Sequence, residues 1–328
     1  MKQIVNRFSL SAWTVVLAVG MLLPLWGAGK KEQPEMDWPK KSIQLIVPYA
    51  AGGDTDFNAR TYAKYLEKEL GKPIAVVNIT GSGGAIASRK VKESAPDGYT
   101  ILMNHTNMIM TEITGVADFG FKDFEIACIG AVNYDIFTVK ADAPYRTLKE
   151  LIEYSKNNKL KAAGTVGSLT QMECLLLTTY GANLNIVDVG SAADRLAALK
   201  GGHVQLIPNA YGSIKQYLQN GEFRALGILS EERNPLIPDI PTCKEQGYDI
   251  VVPMMYTFFF PKGTPRGIID KFSKAVEKIA KTNKEYAEDI AKAYTQSPYF
   301  KSGEEGLKLF SEVKEKFEKY KETVKPAK

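Results

Sequence analysis

Histidine and cysteine are scarce in this chain. Two histidines and three cysteines among 328 residues are too few for a His- or Cys-rich metal centre, and no metal ligand set is expected. Cys128, Cys174 and Cys243 fit neither a zinc-ligand spacing nor a Cys-x-x-Cys redox pair. Cys128 lies in the strand-like run Ile126-Ala-Cys-Ile129, so buried free thiols are expected, with a disulfide between two of the three left open. Catalytic signatures are missing too: there is no Gly-x-Ser-x-Gly elbow, no His-Glu-x-x-His and no Walker loop. Gly81-Ser-Gly-Gly-Ala-Ile86 begins like a dinucleotide fingerprint, but Ile86 stands where the third glycine is needed. No cofactor is expected, and the chain does not read as an enzyme.

Charge of one sign is not concentrated anywhere. The formal net charge is +5 and the lysines are dispersed. Near the end, Lys314, Lys316, Lys319 and Lys321 alternate with Glu312, Glu315, Glu318 and Glu322, which makes a solvated helix face rather than a nucleic-acid patch. No nucleic-acid partner is expected. Long apolar runs are also lacking, with one exception. Leu10 to Trp26 is almost wholly apolar, is preceded by Lys2 and Arg7, and is followed by Lys30, Lys31 and Glu32. It falls short of the ~20 residues of a membrane span and reads as an export signal over residues 1–28. Loss of Lys2 and Arg7 with the signal would leave the mature chain near +3. Leu25-Trp26-Gly27 is lipobox-like, but Ala28 replaces the cysteine that would carry lipid. The expected location is the periplasm or the outer face of the cytoplasmic membrane.

What remains has the composition of a globular protein, 45% hydrophobic and 24% charged. Residues 29–41 are a polar lead-in. Ser42 to Val47 is a β-rich run, followed by the loop Pro48 to Asp56. Ala59, Tyr62, Ala63, Leu66 and Leu70 then share one helical face, which Gly71 and Pro73 end. Strands are expected at Ile74 to Val77 and Tyr99 to Met103, so the opening reads β-α-β-α-β, a parallel sheet with helices on its faces. The pattern restarts with strands at Ile126 to Val132 and Ile136 to Val139 and a capping box at Thr147 to Glu150. Lys161 to Gly164, Leu184 to Val187, Val204 to Pro208 and Ala225 to Leu229 continue this second α/β unit. Tyr256 to Phe260 is another apolar strand. The stripe Phe310, Val313, Phe317 and Tyr320 on the last helix returns the chain to the first unit. The expectation is an α/β clamshell crossed twice by the chain, with domain 1 at 42–145 and 250–328 and domain 2 at 146–249.

Ligands of open α/β sheets bind at the carboxyl ends of strands. Tyr49, Ala51, Gly52, Gly53 and Asp56 lie in a loop between a strand and a helix start, where free N–H groups suit an anion. A tight turn capped by Asp54 or Thr55 would show the same letters. Gly164, Thr165, Gly167 and Ser168 repeat that grammar in the second unit, where Ser168 could instead be a simple helix cap. His105 follows the strand ending at Met103, so a ligand contact and a structural role fit it equally. Asn209 follows the strand Val204 to Pro208, and Asp188 follows Leu184 to Val187. His203, in a glycine turn, is expected to be solvated.

At this point an ordered set of segments resembles the substrate-binding proteins of tripartite tricarboxylate transporters, the Bug family. The set comprises Ser42-Ile-Gln-Leu-Ile-Val-Pro-Tyr-Ala-Ala-Gly-Gly-Asp-Thr-Asp-Phe-Asn-Ala-Arg60, Val76 to Ala85, Ala95 to Leu102, Thr147 to Leu151, Leu199 to Val204, Phe223 to Ile228, Pro238 to Thr242 and Pro261 to Thr264 with Pro265. The resemblance implies a two-domain fold like that of type II periplasmic binding proteins, with two crossover segments. It also implies carboxylate binding through Tyr49 to Asp56 and Gly164 to Ser168. A Tyr-Lys-Gly stretch common in the family is Asp188-Val189-Gly190 here, which argues against a highly charged tricarboxylate and for a ligand with a positive or hydroxyl group beside its carboxylate. A tryptophan common near Met255 is absent, with Tyr256 nearby. Asp56 is expected to organise the loop, since direct contact with a carboxylate would be repulsive.

The expected function is capture of a small carboxylate outside the cytoplasmic membrane by a monomer that closes around it and delivers it to integral membrane transporter subunits. The alternatives weighed are a sensor component docking a receptor kinase and, less favoured, a secreted hydrolase using Ser168 or His105.

Overall fold

The computed structural model describes residues 37–324. The export-signal reading of residues 1–28, with Ala28, lies outside these, as does most of the lead-in.

Chain order follows from local chemistry. Strand β1 (Ile43–Val47) is buried at four of its five positions and leads into α1 (Asp54–Leu70). Helix α1 stops at Gly71, whose φ of 69° is left-handed and whose N–H donates to the Glu67 carbonyl. Next come β2 (Ile74–Asn78), α2 (Ala85–Lys92), β3 (Thr100–Asn104) and α3 (Asn107–Ile113). Strand β1 is central here, parallel to β2 on one side and to β3 on the other.

The chain then runs through β4 (Phe124–Lys140), a single 17-residue strand. The sequence suggested two strands here, separated by Asn133-Tyr-Asp135. The backbone stays extended through those residues because the two halves find different partners. Phe124 to Tyr134 pair antiparallel with β9 (Pro253–Pro261), whereas Asp135 to Lys140 pair with β7 (Ile207–Ala210) and β8 (Phe223–Ile228). The partner therefore changes between Tyr134 and Asp135. Residues 135–145, which the sequence reading grouped with domain 1, begin with this second ladder.

The second lobe holds α4 (Leu148–Asn157), β5 (Leu160–Ala163), α5 (Leu169–Thr178), β6 (Leu184–Val187), α6 (Ala192–Lys200) and α7 (Tyr211–Gln219) with β7 and β8. Val204 to Leu206, expected in a strand, lie ahead of β7 and join β5 through a single bridge, Ala162 to Leu206. Residues 229–252 form the return crossing. Leu229 ties the two crossings together: its N–H donates to the Asp135 carbonyl at 3.0 Å and its carbonyl accepts from Val252 at 2.9 Å.

The chain ends on the first lobe with α8 (Arg266–Thr282), α9 (Lys284–Tyr294), β10 (Lys301–Ser302) and α10 (Gly303–Glu318). The first sheet has the order β10-β4-β9-β3-β1-β2. Its core is aromatic: Phe258 meets Phe272 edge-on at 5.0 Å, and Phe259 meets Phe310 at 5.7 Å. Of the expected stripe, Phe310, Val313 and Phe317 are buried on α10, and Tyr320 lies just past the helix, half-buried. All three cysteines are free and buried. Among the described residues no helix is long and apolar enough to cross a membrane.

Candidate functional site

The loop between β1 and α1 is held from within. Asp56 is almost fully buried, and its carboxylate accepts the Gly52 N–H at 2.9 Å, the Arg60 Nε–H at 2.9 Å and the Asn78 amide at 2.9 Å. Burial pushes this carboxyl up, but the Arg60, Gly52 and Asn78 hydrogen bonds outweigh that and hold it below the usual range. Asp56 thus organises the loop. Arg60 and Asn78 complete the brace, and the sequence had not singled them out for that role. Gly53 caps α1 without a side chain, so neither Asp54 nor Thr55 is the cap. The N–H groups of Ala51, Asp54 and Asp56 find no acceptor among the described residues. They are the unpaired donors that a helix start leaves over.

His105 lies at the carboxyl end of β3 and is 7% exposed. Its ring stacks on Tyr49 at 4.8 Å and meets Tyr256 edge-on at 5.8 Å. The Asn107 N–H donates to His105 Nδ1 at 3.2 Å, which assigns the ring proton to Nε2. Burial pushes the imidazole pKa down to about 4 against a smaller opposing pull from Asp54, so the ring is neutral near pH 7. Tyr49 donates to Asn104 Oδ1 at 3.1 Å, which fixes the ring on which His105 stacks.

The second loop differs from its expected form. Gly164 N–H goes to Val187, Thr165 N–H to Thr170 Oγ1, Gly167 N–H to Gln171 Oε1 and Ser168 N–H to Thr165. Most of its backbone donors are therefore already used. Ser168 sits at the N-cap of α5, but its hydroxyl donates to the Thr165 carbonyl instead of accepting from the helix. Gly167 has a φ of 74°, and a methyl there would lie 3.4 Å from Thr114 of the first lobe. The Leu169 N–H crosses between lobes to Asn107 Oδ1 at 2.9 Å, while the Asn107 amide donates to Gly83 at 2.9 Å. Asn107 was missed by sequence reading. Its partners are 62 and 24 residues away, and nothing local marks it.

Asn209 is fully buried and accepts from Arg195 Nε at 2.8 Å. Arg195 also reaches the Gly190 carbonyl, to which the Thr165 hydroxyl donates at 2.6 Å. Asn209, Thr165 and Gly190 are thereby gathered around one guanidinium. Asp188 is exposed and makes no hydrogen bond or ion pair among the described residues. His203 is exposed as well. Arg195 faces two further acids, Asp135 on β4 and Glu173 on α5, which are 2% and 0% exposed. Burial pushes both carboxyls up, Asp135 raises Glu173 further, and Arg195 opposes both shifts. Glu173 is thereby held towards its neutral form. Asp54 lies close enough to be felt by Asp135, His105 and Tyr256. The first-lobe and second-lobe groups thus lie within electrostatic reach of one another beside β4.

A family model described as the tripartite tricarboxylate transporter family receptor matches residues 58–325. The chain belongs to this family. The receptor is 30% identical to a UPF0065 protein of Cupriavidus necator over 285 residues, covering 85% of this chain and 86% of the relative. It is also 30% identical to BugT of Bordetella pertussis over 245 residues, 71% of this chain and 74% of BugT. Among solved structures, the periplasmic binding protein BugD superposes with a TM-score of 0.75 at 25% identity, over 88% of this receptor and 99% of BugD. MatC from Rhodopseudomonas palustris, solved with bound malate, superposes with a TM-score of 0.71 at 26% identity, over 88% and 100% of the two chains. The fold is the two-lobed periplasmic-binding clamshell, as the sequence led one to expect. The β1–α1 loop precedes the matched segment.

Proposed function

We propose that this receptor captures a small carboxylate in the cleft between its lobes, outside the cytoplasmic membrane, and delivers it to the integral membrane subunits of a tripartite transporter. The observation that carries the reading is the set of unpaired N–H groups at Ala51, Asp54 and Asp56, beside a neutral His105 whose Nε2–H is a further donor. Neutral, preorganised donors at a helix start hold an anion without a lysine or arginine. MatC, with malate bound, is a precedent for such a ligand in this fold. The lobes close by flexing where β4 changes partners, between Tyr134 and Asp135, and at the parallel crossing near Val252. Ligand bridging both lobes selects the closed form. The protein acts as a monomer and makes or breaks no bond. In keeping with this, the Ser168 hydroxyl is bonded to Thr165 and Thr170, and His105 Nδ1 to Asn107, so the two do not form a nucleophile–base pair.

The test is a thermal-shift screen with di- and tricarboxylates, aromatic acids and amino acids, each beside its uncharged amide. A ligand that binds only the folded state raises the melting temperature by mass action. A shift for a carboxylate that is absent for its amide is expected. Shifts only with sugars or nucleosides would overturn the reading.

A further inference from the structure

Resting on the carboxylate reading, we propose that Asp54 is a subsite for a cationic nitrogen, so that the receptor prefers a carboxylate bearing an ammonium group to its deamino counterpart. Asp54 is the first residue of α1 and is half-buried at the cleft. Its Oδ2 accepts from the Tyr256 hydroxyl at 2.5 Å and its Oδ1 from the Thr55 N–H at 2.8 Å. Two bonds leave a carboxylate with unused acceptor capacity. Tyr256 is fully buried on β9 and fixes where the group points.

No cation of the protein answers this charge. Among the described residues Asp54 has no ion pair, and the nearest basic residue on its own helix, Arg60, is engaged by Asp56 and Asn78. The groups within electrostatic reach are the phenols of Tyr49, Tyr256 and Tyr294, the neutral His105 and a further acid, Asp135. Arg195, across the cleft, is bonded to Asn209 and Gly190 and already faces Asp135 and Glu173. Glu173 is fully buried beside Asp135, and neither of its oxygens has a hydrogen-bond partner. Held towards its neutral form, it leaves the one guanidinium to Asp135 and none to Asp54. A dianion would bring its second negative charge against Asp54. A zwitterion sets its carboxylate on the α1 donors and His105, and its ammonium on Asp54.

The experiment is titration calorimetry of the purified protein at pH 7 with pairs differing only in the α-ammonium: L-glutamate and glutarate, L-leucine and 4-methylpentanoate, L-phenylalanine and 3-phenylpropanoate. In the wild type, at least one ammonium-bearing member is expected to bind about 10- to 100-fold tighter than its partner, the range of a charge-assisted hydrogen bond. In Asp54→Asn the ratio is expected to fall below about threefold, while Tyr256→Phe, which keeps the charge, retains the preference. Wild-type preference for the deamino members would overturn the subsite and leave the carboxylate reading standing, as would a preference that survives in a folded Asp54→Asn. The wild-type ratio needs no variant, so a failure of Asp54→Asn to fold does not spare the proposal. Binding of no member of any pair would overturn the subsite, and the wider carboxylate screen then decides the carboxylate reading by itself.

Discussion

Replacing Asn107 with alanine isolates the contribution of lobe closure to affinity. The side chain makes two bonds of different kinds. Its amide N–H₂ holds Gly83 within the first lobe, a contact present whether the cleft is open or shut, so its loss cancels from the closure equilibrium. Its Oδ1 accepts the Leu169 N–H of the second lobe, a contact that exists only when the lobes meet. Asn107 is 4% exposed and Leu169 is 2% exposed. In the closed form of Asn107→Ala the Leu169 N–H is therefore buried without an acceptor, at a cost of about 1–3 kcal/mol, whereas in the open form water satisfies it. If the unliganded receptor is mostly open, that cost passes directly into binding, and the dissociation constant for any cleft ligand rises about 5- to 100-fold. The assay is titration calorimetry on wild type, Asn107→Ala and Asn107→Asp. The aspartate keeps an acceptor for Leu169 but loses the bond to Gly83, so its affinity should lie nearer the wild type. An Asn107→Ala protein that folds and binds within twofold of wild type would refute the argument, as would Asn107→Asp being the weaker binder.

Three further outcomes follow from buried groups. His105 is held neutral, with its pKa pushed down to about 4 by burial, below the ~6.5 of an unfolded chain. The unfolded state thus binds the extra proton first, and the stability present above pH ~6.5 is lost as pH falls towards 4, by up to about 3 kcal/mol; urea midpoints across this window should flatten in His105→Gln. Glu173 shifts the opposite way, because burial raises it and the folded state keeps a proton that the unfolded chain has released. Its contribution therefore falls as pH rises past ~4.3, and the melting temperature of Glu173→Gln relative to wild type should climb between pH 5 and pH 8. A pH-independent difference would count against the acid pair. Gly130→Ala would place a methyl 2.9 Å from Phe258 and 3.0 Å from Tyr62, both fully buried. A loss of about 1–3 kcal/mol in chemical denaturation is expected, and an unchanged midpoint would mean that the core yields more than its packing suggests.

The first lobe was legible because its signals are local. The face of α1 shows in residue spacing, its end in Gly71 and Pro73, and strand β9 in an apolar run interrupted only by Thr257. The continuity of β4 was hidden because Asn133 and Asp135 look like turn residues, and only their ladder partners keep them extended. The Gly164 to Ser168 loop had the letters of an anion site, but sequence cannot tell whether an N–H is already spent on Gln171 or Thr170. Asn209 was expected just after a strand and lies within β7. Its partner Arg195 was not singled out, because a basic residue on an ordinary helix carries no mark of burial. Asn107, Asp135 and Glu173 escaped for the same reason: each is an unremarkable letter until distant segments meet around it.

Strand β4 carries both lobes on one continuous strand, so their mutual orientation depends on the parity of a residue count. Side chains alternate along a strand, and Asp135 and Phe137 leave one face while Tyr134 and Ile136 leave the other. One residue added after Tyr134 would turn over everything beyond it. Asp135 would swing away from Arg195 and Glu173, and Ile136 would leave the cluster it forms with Ile214, Ile228 and Ile237. Two added residues would restore the faces but push the second lobe about 7 Å along the strand, carrying the α5 end out of reach of Asn107. The length of this strand therefore works as a gauge between the lobes, one that loops elsewhere in the chain have no means to correct.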